Sequence, residues 1–165
     1  MRMLRALLAG AFLVVASTAL ARPPSARVVE YGRYRSDVVG ERLADGTSGG
    51  VTLLAVDPVH VETTATIQAR VGEEFAILLQ FFDLPSSQPY VVREETHHPP
   101  IRQPGGRVLT NSVTTTTVRP GRDPTPYYGW AFAKGYEYEL VPGTWTKKVF
   151  VNDVEVASFS FEVVR

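Results

Sequence analysis

There is no cysteine among the 165 residues. That excludes disulfide staples, thiol nucleophiles, cysteine-ligated metals and the lipid-bearing cysteine of a bacterial lipoprotein. An excess of charge is missing too, since 17 Lys+Arg face 17 Asp+Glu. Setting aside a leader that carries Arg2 and Arg5 leaves 15 basic residues against 17 acidic, a net charge of −2. Nucleic-acid binding through bulk charge is thereby excluded, as is a highly charged disordered chain. Beyond the N-terminus no segment is apolar for the roughly 20 residues that a membrane helix needs. No window carries an amphipathic helical period either.

What is present begins with that leader. Arg2 and Arg5 form a positive n-region, residues 6–16 a short apolar stretch, and Ala19-Leu20-Ala21 a small-x-small cleavage pattern. Residues 1–21 therefore read as a secretory signal peptide cleaved after Ala21, and the mature chain as periplasmic or secreted, with no stable membrane insertion. The remaining 144 residues make one domain of ordinary size. A hydrophobic fraction of 44% and an aromatic fraction of 10% suit a folded globular chain.

After an extended lead-in at residues 22–27, the chain has strand grammar: runs rich in Val, Thr, Phe and Tyr alternate with clusters of Gly, Pro, Asp and Ser. Strands are expected near 28–34, 51–56 and 59–64, with residues 37–50 a ragged strand and loop. Asp57-Pro58 marks an edge, a bulge or a switch between sheets, because proline has no donor for a ladder. Residues 75–83 form the strongest strand. Phe75, Ile77, Leu79 and Phe81 share one face, and Ala76, Leu78 and Phe82 lie on the other. Both faces should be covered, which places the strand centrally. The N-terminal segment 28–50 is the expected cover for the second face, with a second copy as the alternative. Further strands are expected at 90–96, ended by His97-His98-Pro99-Pro100, then at 108–118 and 128–133. Gly129 reads as a bulge or a close backbone approach. A final hairpin turns at Asn152-Asp153. A bulge near Ala157-Ser158 would bring Val156 and the later Phe159 and Phe161 to the same core, with Trp145, Val149 and Val151. Seven to nine short strands in about 140 residues mean a sandwich or a barrel.

Three blocks in order carry a resemblance: Glu30-Tyr31-Gly32-Arg33-Tyr34, then Ile67-Gln68-Ala69-Arg70-Val71-Gly72-Glu73-Glu74-Phe75, then Glu139-Leu140-Val141-Pro142-Gly143-Thr144-Trp145-Thr146. The chain from about Val28 to Val164 resembles the bacterial domain-of-unknown-function family 3859. The resemblance implies an immunoglobulin-like antiparallel β-sandwich of about 7–9 strands over residues 28–165, and it brings no catalytic residue with it. It also implies an aromatic where Lys147 begins the pair Lys147-Lys148, so the strand beyond Trp145 is expected to be less buried.

A search for chemistry finds little. The G-x-S-x-G nucleophile elbow is absent, and Thr47-Ser48-Gly49-Gly50 reads as a flexible polar loop. His97 and His98 would point to opposite faces of a strand. A metal would need them to converge with His60 and Glu62. Gly105-Gly106-Arg107 with Arg102, and Pro120-Gly121-Arg122, put arginines beside glycine turns and read as solvated loops. Tyr127, Tyr128, Trp130, Phe132, Tyr136 and Tyr138 are either core or a stacking platform. No catalytic, cofactor-binding or metal-ligating residue is assigned, and no cofactor is expected. The expected role is a non-enzymatic binding or scaffolding module with a protein or cell-envelope partner, monomeric rather than a homodimer. The alternatives are a carbohydrate-binding module using an exposed Tyr128 and Trp130 face, and a metal-dependent accessory protein using His97, His98 and His60.

Overall fold

The computed structural model describes residues 22–165; the leader lies outside the described residues. Nine strands form two stacked sheets. They are β1 (Ser25–Leu43), β2 (Val51–Glu62), β3 (Thr66–Gln68), β4 (Glu74–Phe82), β5 (Tyr90–Arg102), β6 (Val108–Val118), β7 (Tyr127–Ala131), β8 (Gly143–Val151) and β9 (Val154–Val164). One sheet has the order β2-β1-β4-β7 and the other β3-β9-β8-β5-β6. Every pairing is antiparallel except that of the short β3 with β9. Among the described residues, no helix is long and apolar enough to cross a membrane.

The strongest strand is central, between β1 and β7. Phe75, Ile77 and Leu79 point into the sandwich and are buried. There Phe75 meets Phe161, Phe132 and Trp145, with ring centroids 4.9, 5.8 and 6.0 Å apart. Trp145 is fully enclosed and donates its indole N–H to the Val141 carbonyl at 2.9 Å. Burying such aromatics is the main source of stability.

The second face of β4 is covered differently from expectation. β1 lies beside β4 in the same sheet, not over it. Tyr127 instead lays its ring on Gly129, the partner of Ala76, so closely that a Cβ at residue 129 would stand 2.5 Å from the phenol oxygen. Ala76 is buried, Leu78 half-buried, and Phe82 stays 42% exposed.

The final hairpin turns at Asn152-Asp153, both with positive φ, as a two-residue turn matching strand twist requires. The bulge falls at Val156, between the pairs Val149↔Ala157 and Phe150↔Glu155, one residue earlier than expected. It sets Phe161 opposite Trp145 and joins both to one core. Asp57-Pro58 occupies a register shift on the edge strand β2, where no ladder donor is missed. The pair Pro99-Pro100 does not end β5. Past His97 the strand has left β8, and the prolines sit in a shift between His97↔Asn111 and Ile101↔Leu109.

The three sequence blocks meet in space. Glu73 is buried between Arg33 of the first block and Arg70 of its own, with Glu62 also held by Arg33. Phe75 and Trp145 join the second block to the third.

Candidate functional site: a polar cleft beneath the first hairpin

β1 outruns β4. Residues 25–34 pair with β4, while residues 37–43 pair only with β2. The excess forms a two-stranded arm whose tip, residues 44–50, crosses to the other sheet. There the Val113 N–H donates to the Gly46 carbonyl at 2.8 Å, and the Ser48 N–H donates to Ser112 Oγ at 3.0 Å. The Gln103 amide donates to the Ser48 carbonyl at 2.6 Å, and Ser48 Oγ donates to the Glu139 carboxyl at 2.5 Å. Thr47 and Ser48 are buried. The segment expected as a flexible loop is thus a docked tip. Gly46 is needed at the crossing, since a Cβ there would stand 2.6 Å from the Val113 carbonyl oxygen.

Beneath the arm lies a cleft of about 380 Å³ between the two sheets. Its floor is the inner face of β5 and β6. Alternation points Val92, Glu94 and Thr96 inward on β5, opposite Thr116, Thr114 and Ser112 on β6. Tyr128 and Trp130 of β7 form a second wall, and residues 51–55 of the arm a third. Half of the four-threonine run therefore faces the interior.

Lys147 and Glu94 balance each other's charge in the cleft, while Glu74 and Glu139 accept hydrogen bonds from neutral hydroxyls. Lys147 is 1% exposed and reaches from β8 across the sandwich. Its ammonium donates to Glu94 at 2.7 Å and to the Gly129 carbonyl at 2.7 Å, and it stands 5.6 Å from the Trp130 ring centre. The strand beyond Trp145 is as buried as the rest, and Lys147 fills the inward position at which an aromatic was expected. Glu74 accepts from Tyr127 and from Ser36 at 2.5 and 2.7 Å. Burial raises the Glu139 carboxyl from 4.5 to about 7, against the lowering effect of its Ser48 hydrogen bond. Burial, and then the negative charge of Glu94, push the Tyr128 phenol upward.

Three enclosed side-chain atoms lack a hydrogen-bond partner among the described residues: Thr52 Oγ1, Tyr128 OH and Trp130 Nε1. All three residues line this cleft, Thr52 on the arm and the other two on β7. Each orphaned polar group costs about 1–3 kcal/mol.

The histidines are not brought together. His60 packs on Tyr34 and stands 3.7 Å from Glu30, on the outer face of the first sheet. His97 pairs with Glu95 at 2.8 Å, on the outer face of the second. His98 points inward, 5.0 Å from the Trp145 ring. Its Nδ1–H donates to the Pro99 carbonyl at 2.9 Å, and Nε2 faces Ser112 Oγ at 3.4 Å. Burial is the largest influence on His98 and lowers its pKa. Among the described residues, no three His, Cys, Asp or Glu side chains group as a metal would require. The two glycine–arginine turns lie at opposite ends of β6. Tyr128, Trp130 and Phe132 face inward, Tyr128 and Phe132 buried, and Gly135 at φ 93° turns the chain before Tyr136 and Tyr138. These rings are core and cleft wall, not an exposed platform.

Sequence reasoning missed the cleft, including Glu94, Lys147 and Glu139. The available signal was parity: Lys147 lies two residues from Trp145 and two from Val149, and Glu94 two from Val92.

Two sheets in this order make the chain an immunoglobulin-like β-sandwich. The crystal structure of an immunoglobulin-like protein from Pseudomonas aeruginosa is similar over 88% of this chain and 100% of its own, at 19% identity and a TM-score of 0.62. Part of the alkylpurine DNA glycosylase AlkC of Pseudomonas fluorescens also aligns, covering 61% of this chain and 28% of that one, at 18% identity. Its TM-score of 0.43 is too low to bear on fold or role. No curated protein matches. Residues 24–163 match the family described as Domain of unknown function (DUF3859), and the chain belongs to that family.

Proposed function

We propose that the mature chain is an exported, monomeric, non-enzymatic binding domain that holds a small molecule in the cleft beneath the arm. One observation carries this reading: two of the walls of a 380 Å³ cleft, β7 and the arm, present enclosed polar groups without partners among the described residues. Ligand sites are concave, partly apolar and furnished with a few placed polar groups, at volumes of roughly 300–1,000 Å³. An immunoglobulin-like sandwich gives no function by itself, so the site must supply it. Export follows from the leader, and purified exported protein should begin at Arg22 by intact mass.

The test is thermal. Mature chain is heated with a small-molecule extract of its own cell envelope, alongside Thr114→Trp, whose indole fills the cleft. The expected result is a raised melting temperature for the native chain only, with the bound mass recovered by native mass spectrometry. Equal shifts in both proteins, or none in either, would overturn the cleft as the binding site.

A further inference from the structure

We infer that the cleft takes a neutral, hydroxyl-rich ligand, a saccharide of one or two rings, which lies between the arm and β7 and supplies the partners that Thr52, Tyr128 and Trp130 lack. This deepens the reading of the cleft as a binding site and rests on it.

Charge comes first. An ion entering a partly enclosed site loses hydration and needs a counter-charge there. The enclosed cation, Lys147, is already committed to Glu94 and to the Gly129 carbonyl. Glu74 is committed to Tyr127 and Ser36. Glu139 accepts from Ser48, and its raised pKa keeps much of it uncharged near neutrality. Arg42 lines the cleft but is exposed, where water screens it. Among the described residues no enclosed cation is left to balance a phosphate or a carboxylate.

The kind of polar group comes next. The hydroxyls of Thr52, Thr114, Thr116 and Tyr128 each donate and accept, while the indole N–H of Trp130 only donates. Hydroxyls on a ligand also do both, so they match without a fixed pattern. The lining also includes Leu53, Val92 and Val118, which suit the C–H faces of a sugar ring. A peptide held by strand pairing would need a free sheet edge; of the two edge strands beside the cleft, β6 is engaged at Val113 by the tip of the arm and β7 at the Gly129 carbonyl by Lys147. Thr52 stands on the arm and Tyr128 and Trp130 on β7; their unpartnered atoms are enclosed, so a ligand reaches them only as the side chains around them shift, and one that touched all three would tie the arm to β7.

The experiment uses the chain lacking residues 1–21. It is titrated with glucose, N-acetylglucosamine and cellobiose, with glucose 6-phosphate and glucuronate, and with a capped neutral dipeptide. Calorimetry gives affinity, and the Trp130 indole N–H resonance gives location. At least one neutral sugar should move that resonance and bind at least tenfold more tightly than the charged sugars. Thr52→Val and Tyr128→Phe should each weaken it about tenfold, the worth of one hydrogen bond. Since both hydroxyls are unpartnered in the free chain, neither variant should lose thermal stability. Three results overturn the inference: no neutral sugar moves the Trp130 resonance; a charged sugar or the dipeptide binds the cleft as tightly; or either variant unfolds. Failure of the sugars leaves the cleft itself to be judged separately, by whether Thr114→Trp abolishes stabilisation in the extract.

Discussion

The two halves of the sandwich interior are built on the same strands and have opposite chemistry. Toward β9 the space is filled by Phe75, Phe132, Trp145 and Phe161, all but completely enclosed. Toward β6 the same inner face carries Glu94, Thr96, Ser112, Thr114 and Thr116, with Lys147 at the boundary. The first half is what makes the chain fold. A core that continued as apolar residues across β5 and β6 would bury more apolar area and need no enclosed ion pair between Lys147 and Glu94. The polar half is therefore a departure from the most stable solution, and such departures mark functional sites.

The apolar half is probed most directly by Trp145→Ala. It removes the largest enclosed side chain, which touches Phe75, Phe132 and Trp130. The expected loss is about 3–5 kcal/mol by urea denaturation. A loss below about 1 kcal/mol would mean that the apolar half does not dominate stability.

Lys147→Met tests the boundary. Methionine keeps the length and apolar stem but leaves Glu94 facing the interior without its cation. Removal of one partner from a buried pair costs about 3 kcal/mol or more, and the 22% exposure of Glu94 argues for the lower end. Adding Glu94→Leu to Lys147→Met should restore most of the stability, because the charge is removed with its partner. If the double variant is no better than the single, Lys147 acts through packing rather than by balancing Glu94.

Glu139 gives the polar half a pH dependence of definite sign. Its carboxyl rises from 4.5 to about 7 on folding, so the folded chain holds a proton that the unfolded chain has released. Stability from this group is fully present below about pH 4.5 and is lost as pH rises through 7, a change on the order of 2–3 kcal/mol between pH 5 and pH 8. His98 acts oppositely: its lowered pKa means that stability is lost as pH falls below the ordinary value of 6.5. The comparison is therefore native chain against Glu139→Gln, in denaturant melts at both pH values. The glutamine variant should lose less stability on going to pH 8. Identical pH profiles would show that Glu139 is not the titrating group at the tip of the arm.

The sequence made the apolar half legible and the polar half obscure, for a physical reason. Phe75, Ile77 and Leu79 alternate along an apolar run, and Trp145, Val149 and Val151 alternate in the same way, so burial can be read from composition. Thr114, Thr116 and Glu94 have the composition of a solvated face. Only their register opposite buried partners shows that they point inward. The arm was harder still. Residues 37–50 are polar and rich in glycine, which is the composition of a loop, and nothing local shows that Ser48 will be enclosed by Glu139, 91 residues away. The prolines at 99 and 100 signalled the end of a strand. They were tolerated because β5 had already left β8 and was out of register with β6.

The smallest expected change in stability is the most discriminating for function. Thr116 lies on the inner side of β6, opposite Val92, and is still exposed because it lines the open part of the cleft. Thr116→Val keeps the β-branched shape and the strand preference, and it exchanges one hydroxyl for a methyl. If the residue served only the fold, the substitution would be neutral or slightly stabilising, within about 0.5 kcal/mol, and nothing else would change. On the binding reading stability stays within that margin while ligand affinity falls severalfold, because the hydroxyl is a partner for the ligand and not for the protein. The two readings thus agree on the denaturation curve and differ on the titration. A Thr116→Val chain that melts like the native chain and binds the neutral sugar or the extract ligand equally well would assign the polarity of this half to solvation of an open edge. A chain that melts alike and binds weakly would assign it to recognition.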